Sequence, residues 1–223
     1  MWLVVCNASA GKGKGSILAG DFIKLLSNSG LENKLIDCDT FAETKMLLEK
    51  EIQTNRYNYL IAVGGDGLVN LCLQLVAEKP ICLGVIPAGT GNDFARATGF
   101  NGKSVDEIFS IVSRSKPVKI DLGKAVSADE SKWFVQVLST GFDAIVNSLA
   151  NKMTWPRGKS KYTIATILIL SRFKSIPYTV EIDGKAFEQN AMLLVVANGE
   201  SYGGGMRICP GASNSDGIFE ILL

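Results

Sequence analysis

The chain has 223 residues, 47% hydrophobic and 20% charged, with 6 prolines and 5 cysteines; at about 100–200 residues per domain this is one large globular domain or two modest ones, which excludes a disordered chain and a disulfide-stapled miniprotein. Basic residues number 23 and acidic residues 22, so the net charge of +1 provides no bulk attraction to a polyanion and no nucleic acid is expected as a partner. Histidine is absent, which removes imidazole bases, His-based triads and His metal sites and leaves acid–base chemistry to carboxylates.

Trp2–Cys6, Leu35–Cys38, Tyr59–Val63 and Cys82–Ile86 read as buried strands, and between and after them Ser16–Ser29, Thr40–Gln53, Gly67–Ala77 and Ser104–Ser113 have helical spacing, with N-caps at Asp39 or Thr40 and at Ser104. Strict β-α alternation predicts a parallel, doubly wound sheet covered on both faces, with its ligand beyond the carboxyl ends of the strands. After Asp121-Leu122-Gly123 the pattern changes. Trp133–Ser139, Tyr178–Ile182, Ala191–Ala197 and Ile218–Leu223 read as strands around one basic, apolar helical region at 144–174, so a mainly β domain, antiparallel or mixed, follows a boundary near residue 122. Cys6, Cys38, Cys72, Cys82 and Cys209 lie mostly in apolar runs without CxxC spacing, which predicts core thiols in a reduced, cytoplasmic chain and no zinc site. The longest apolar run, Ile164–Leu170, falls short of the roughly 18 residues of a membrane span, and Met1–Cys6 is too short for a signal-peptide core.

Three Gly-rich turns follow three of the strands. Asn7-Ala8-Ser9-Ala10-Gly11-Lys12-Gly13-Lys14-Gly15 lacks both Walker A and G-x-G-x-x-G spacing; its backbone amides could cradle a phosphate at a helix start, and read alone it is equally a Gly/Lys turn without a ligand. Gly64-Gly65-Asp66-Gly67 and Pro87-Ala88-Gly89-Thr90-Gly91-Asn92-Asp93-Phe94-Ala95-Arg96 each place one carboxylate among glycines at a strand's end. A carboxylate there suits a metal or a substrate hydroxyl, while bonding to turn amides is the plainer alternative.

In order and spacing these three turns resemble the diacylglycerol kinase catalytic domain family, which includes bacterial diacylglycerol kinase-like, sphingosine and ceramide kinases. The third turn is the specific one, and the second is shared with NAD kinases and phosphofructokinases. The likeness continues through Ile120-Asp121-Leu122-Gly123, Gly141-Phe142-Asp143-Ala144, Ala197-Asn198-Gly199, Gly203-Gly204-Gly205-Met206 and Asp216-Gly217. The resemblance implies an NAD kinase- or phosphofructokinase-like nucleotide-binding α/β domain over 1–122 and a β-sandwich-like lipid-substrate domain over 123–223. Asn7, Ser9, Gly11, Gly65, Asp66, Gly67 and Thr90 would hold ATP. Asp66, Asp93 and Asp121 would join a magnesium–water network, and Ser213, Asp216 and Ile218 would offer a second Mg²⁺ site. Asp66 would be the general base, with Glu200 a distant second. Clustered Asp, Mg²⁺ and Gly-rich turns suffice for phosphoryl transfer without histidine.

The chain departs from the family at Ala8 and Leu68, where Pro and Thr are usual, and has Asn70 where Glu is common and Asn also occurs; relatives continue past Asp216-Gly217 through further strands and a turn whose Glu is the proposed general base. Ile218–Leu223 reads as a strand buried on both faces, so the expectation is either self-association as a homodimer through the second domain or weakened activity relative to a longer form. No acidic residue falls between Asp143 and Glu181, a stretch that holds Lys152, Arg157, Lys159, Lys161, Arg172 and Lys174. Ile164, Ile167, Leu168 and Ile169 are expected on the buried side of a core helix, with Trp155, Arg157, Lys159 and Lys161 suited to transient contact with an anionic cytosolic membrane surface. The leading expectation is therefore an ATP-dependent lipid kinase, cytoplasmic and peripherally membrane-associated, acting on diacylglycerol or a related lipid. An NAD kinase-like enzyme and a catalytically impaired nucleotide- or lipid-binding module are the rivals.

Overall fold

The computed structural model describes residues 1–7, 13–155 and 159–223, with the backbone alone at Lys159. The expectations for Ser9 and Gly11, and for Arg157 and the Lys159 side chain, lie outside these residues. Four strands, β1 (Trp2–Asn7), β2 (Asn33–Cys38), β3 (Tyr59–Gly64) and β4 (Cys82–Pro87), form one parallel sheet in the order β2-β1-β3-β4. The connecting helices are α1 (Lys14–Asn28), α2 (Phe41–Ile52) and α3 (Asp66–Val76), and after β4 come α4 (Asp93–Ala97) and α5 (Val105–Arg114).

The near-continuous apolar strands are explained by a sheet buried on both faces. Leu3, Val5, Leu60, Ala62 and Val85 pack on one side with Leu48 and Ile52 of α2 and Leu71 and Cys72 of α3. Trp2, Val4, Cys6, Ile61, Val63 and Ile86 pack on the other with Ala19, Phe22 and Leu26 of α1 and Val105 and Ile108 of α5. Strand period 2 thus splits each run between two cores. Helix starts follow the expected capping chemistry: the Glu43 N–H donates to Thr40 Oγ1 at 3.2 Å, and Ser104 and Glu107 form a reciprocal capping box.

The remaining chain forms small antiparallel sheets. Strands β5 (Gly123–Val126) and β6 (Ser131–Phe134) form a hairpin, followed by β7 (Val137–Gly141), α6 (Phe142–Lys152) and α7 (Lys159–Leu170). A second hairpin pairs β8 (Ile176–Ile182) with β9 (Lys185–Ala191). Then come β10 (Leu193–Ala197), the short pair β11 (Ser201–Tyr202) and β12 (Met206–Arg207), and β13 (Glu220–Leu222), with β10 between β13 and β7. The side-chain amide of Gln74 in α3 meets Trp133 like a strand partner, donating to its carbonyl at 2.8 Å and accepting from its N–H at 2.9 Å, while Trp133 packs against the first core. Asn198, wholly buried, donates to the carbonyls of Asp121 at 2.8 Å and Val135 at 3.0 Å.

Several expectations for this half are corrected. Trp133–Ser139 is two strands, broken at Val135-Gln136, because the Gln136 carbonyl turns to accept the N–H groups of Asn198 and Gly199. The 144–174 region is two helices, not one. Its second helix buries only part of the expected face: Ile169 turns toward α6 as expected, together with Ala165 at i,i+4, and Ile164 is half-buried, whereas Ile167 (61% exposed) and Leu168 (53%), with Leu170 (55%), face outward. Ile218–Leu223 is not buried on both faces. Only Glu220–Leu222 is strand, paired with β10, while Ile218 is 58% exposed.

Glu51, at the end of α2, ties that helix to β2 and to the loop before β3. Its carboxylate accepts from Lys34 Nζ at 2.7 Å and from the Tyr57 hydroxyl. The Lys34 bond, with help from Tyr57, holds the Glu51 carboxyl below its ordinary range, and burial followed by Glu51's proximity raises the Tyr57 phenol. A lowered folded-state value stabilises the fold above the unfolded carboxyl's pKa of about 4.3, a contribution lost as pH falls through the folded value. Glu51→Gln is therefore expected to lower unfolding free energy by about 1–2 kcal/mol at pH 7. Urea titrations should show the difference from wild type narrowing below about pH 4.

Candidate functional site

In a parallel sheet of order β2-β1-β3-β4 the connections diverge between β1 and β3, and the crevice at the carboxyl ends there is the natural ligand site. Asn7 ends β1, Gly65-Asp66-Gly67 opens α3 after β3, and Gly89–Asp93 joins β4 to α4. The last two turns lie against each other. A methyl carbon on Gly89 would stand 2.5 Å from the Gly65 Cα, and one on Gly65 would stand 3.1 Å from the Gly89 Cα. Backbones can approach this closely only where neither residue carries a side chain. Asn92 closes the second turn on itself, accepting from the Gly89 N–H at 3.0 Å and donating to the Gly89 carbonyl at 2.9 Å.

That contact brings the two predicted carboxylates together. The Asp93 N–H donates to Asp66 Oδ1 at 2.7 Å. A methyl on Gly91 would meet Asp66 Oδ2 at 2.5 Å and Asp93 Oδ2 at 3.6 Å, so both carboxylates border the same small volume. Asp66 and Asp93 are half-buried, whereas Gly67 and Thr90 are exposed beside them. Each Asp lies in the first turn of its helix, where negative charge is favoured by the unpaired N–H groups.

Asp121 is held by a different segment. Its carboxylate accepts from the Gly217 N–H at 2.7 Å, and its own N–H donates to the Asn214 carbonyl at 2.7 Å. It therefore joins the loop carrying Ser213 and Asp216, with no direct bond to Asp66 or Asp93 among the described contacts. In that loop Asp216 Oδ1 accepts from the Ile218 N–H at 3.1 Å, and Ser213 Oγ lies 3.2 Å from Ser215 Oγ. Among the described residues no three acidic or thiol side chains converge as a direct metal-ligand set. A cation between Asp66 and Asp93 would rest on two carboxylates, with water and phosphate oxygens completing its shell, which is how Mg²⁺ is commonly bound.

Leu68 stands where the resemblance suggested a lost hydroxyl. It is a core residue, 6% exposed and packed over Gly64. Glu200 accepts from the Gly211 N–H at 2.9 Å and Arg207 at 3.1 Å, and these partners, Gly211 first, lower its pKa, opposite to what a general base near neutrality needs.

The sequence reading gave no role to the glycine run after β11. The Gly204 N–H donates to both Asp93 carboxylate oxygens at 3.0 Å, and the Gly205 N–H donates to Oδ1 at 2.8 Å. Gly203, Gly204 and Gly205 all have positive φ, at 63°, 90° and 96°, and a methyl on Gly205 would press on Arg96 Nε at 3.0 Å. The run of three glycines before Met206 was the available signal. Gly205→Ala is expected to cost about 1–3 kcal/mol of stability, read as a lower urea midpoint.

The diacylglycerol kinase catalytic domain profile matches residues 1–125, and that of the YegS C-terminal NAD kinase beta sandwich-like domain matches 136–223. A diacylglycerol kinase of Mycobacterium tuberculosis (strain CDC 1551 / Oshkosh) is 42% identical over 167 residues, 74% of this chain and 54% of its own length. The chain thus spans about half the length of that relative. A diacylglycerol kinase of Staphylococcus aureus (strain MRSA252) is 26% identical over 223 residues, covering 99% of this chain and 69% of its own. The crystal structure of a diacylglycerol kinase from Bacillus anthracis str. Sterne shares the fold at a TM-score of 0.73 and 23% identity, covering 99% of this chain and 71% of that one.

Proposed function

This chain belongs to the diacylglycerol kinase catalytic domain family, and from that premise we propose that it is an ATP-dependent lipid kinase that phosphorylates a hydroxyl of diacylglycerol or a related lipid. The observation that carries the reading is the Asp66–Asp93 pair, hydrogen-bonded through the Asp93 amide at the carboxyl ends of β3 and β4 and bordered by side-chain-free backbone. The turn at Gly65–Gly67, with Thr90 and Asn7, would bind the nucleotide's phosphates through backbone and small polar groups; Ser9 and Gly11 belong to the same assignment.

In the proposed transfer the lipid oxygen attacks the γ-phosphorus, the bond from that phosphorus to the β-phosphate bridging oxygen breaks, and ADP departs. Asp66 takes the proton of the hydroxyl. That proton leaves late in a loose transition state, so a carboxylate base is adequate. Asp93 adds negative charge beside Asp66 and holds its own geometry through Gly204 and Gly205. Mg²⁺ on Asp66 and Asp93 would neutralise phosphate charge. Asp121 would support it through the network, and Ser213, Asp216 and Ile218 would form a second cation site.

No described helix is long and apolar enough to cross a membrane. The outward Ile167, Leu168 and Leu170 of α7, with exposed Trp155 nearby in sequence and Arg172 and Lys174 just beyond the helix, suit transient docking on an anionic cytosolic bilayer face, where the lipid substrate resides.

Asp66→Asn is expected to lower phosphoryl transfer from labelled ATP to diacylglycerol in mixed micelles by about 10²- to 10⁴-fold, with the unfolding midpoint unchanged. Near wild-type turnover would remove Asp66 from the mechanism. Asp93→Asn should also be severe, and the double variant should fall short of the product of the two losses because both residues serve one network. Reversing Lys161, Arg172 and Lys174 to Glu is expected to abolish sedimentation with phosphatidylserine-containing vesicles at low salt and to leave ATP affinity unchanged. Undiminished sedimentation would reassign the segment to solvent.

A further inference from the structure

We propose that Tyr202 is a positioning residue that fixes the orientation of the Asp93 carboxylate by anchoring the β11–β12 hairpin to Asp143 at the start of α6. This deepens the kinase reading and rests on it, because Asp93 matters to turnover only if the Asp66–Asp93 pair is the reacting centre.

The connection runs through hydrogen bonds joined by the short stretch of backbone from Tyr202 to Gly205. The Tyr202 hydroxyl donates to Asp143 Oδ2, which also accepts from Ser139 Oγ at 3.1 Å. Tyr202 is the last residue of β11, and the next three are the positive-φ glycines whose amides at 204 and 205 hold Asp93. Asp93 then donates its N–H to Asp66. Glycines in the left-handed region hold no conformation by themselves, and their unfolded alternatives are many. Amides in such a run present a fixed pair of donors only if the flanking residues are tethered.

Besides the β11–β12 ladder and the bonds of Glu200 to the Ile208, Cys209 and Gly211 amides, two side-chain pairs flank the run among the described residues. On the far side Arg207 pairs with Glu200 at 3.1 Å, but these side chains are 61% and 44% exposed and both belong to the same local segment; an exposed pair of that kind contributes little. On the near side Tyr202 reaches a different element. Its partner is half-buried in the first turn of α6, where helix N–H groups favour the negative charge. Burial first, and then the Asp143 carboxylate, push the Tyr202 phenol well above its ordinary pKa, so it keeps its proton and remains a donor across the working range. A charge-assisted bond in a partly desolvated site is a strong tether for its size. Asp143 and Tyr202 are both distant in sequence from Asp93, and the hydrogen-bonded route from them to its carboxylate runs through the Gly204 and Gly205 amides.

Tyr202→Phe removes one hydroxyl and should fold. Amide hydrogen exchange at Gly204 and Gly205 is expected to quicken about tenfold, with β1 amides unchanged. Asp93→Ala, which removes the acceptor, should quicken the same two amides, and adding Tyr202→Phe to it should quicken them no further. In the lipid kinase assay Tyr202→Phe should lower kcat about tenfold at saturating ATP and Mg²⁺. Tyr202→Phe combined with Asp93→Asn should be no slower than Asp93→Asn alone. Asp143→Asn, which retains an acceptor, should be milder than Asp143→Ala in both measurements. Unchanged exchange at Gly204 and Gly205 in Tyr202→Phe would overturn the anchoring, and fully additive losses with Asp93→Asn would overturn positioning through Asp93. A wild-type protein with no transfer to any lipid hydroxyl would defeat the kinase reading instead, and the exchange results would still decide whether Tyr202 fixes the hairpin on Asp93.

Discussion

The Asp93 carboxylate is a charge around which the two halves of the chain are bonded. Its oxygens take the amides of Gly204 and Gly205, while its own amide is given to Asp66. A carboxylate carried into a cleft needs donors to replace water, and here the donors come from a segment more than 100 positions away in sequence. The glycines at 65, 89 and 91 follow from the same requirement, since any side chain there would push the two turns apart and separate Asp66 from Asp93. The Gln74–Trp133 amide pair and the buried Asn198 reinforce the same junction from behind.

The parallel sheet was legible because its chemistry is local. Strands buried on both faces leave uninterrupted apolar runs such as Trp2–Cys6, and helices that face one core each leave clear periodicity and capping residues such as Ser104 with Glu107. Asp66 and Asp93 were legible as carboxylates among glycines. Their mutual bond was not, because it depends on which strand lies beside which, and adjacency of β3 and β4 is a property of the assembled sheet.

The second half resisted for different reasons. β9 runs through Lys185–Ala191 with six of its seven residues exposed, so it carries no apolar alternation to detect. Helix α4 spans five residues, too few for a period of 3.6 to repeat. In α7 the apolar residues are spread around the helix, and Ala165, a small residue, marks the buried side better than the larger Ile167 and Leu168 that face out. The glycine run and the Gly-Phe-Asp-Ala motif were visible as patterns, but the Tyr202–Asp143 bond joining them spans 59 positions and has no local signature.

The place of β1 in the sheet has a consequence for synthesis. It is an inner strand, hydrogen-bonded to β2 on one side and β3 on the other, and Trp2 stacks on Tyr59 with ring centroids 4.0 Å apart. A ribosome adding about 5–20 residues per second exposes β1 for several seconds before β3 emerges from the exit tunnel. Throughout that interval Trp2-Leu3-Val4-Val5-Cys6, which is charge-free and strongly strand-forming, has at least one unpaired edge. The nascent chain therefore carries an adhesive edge before its sheet partner β3 exists, and that edge belongs to a strand whose Leu3, Val4, Val5 and Cys6 are wholly buried in the finished molecule.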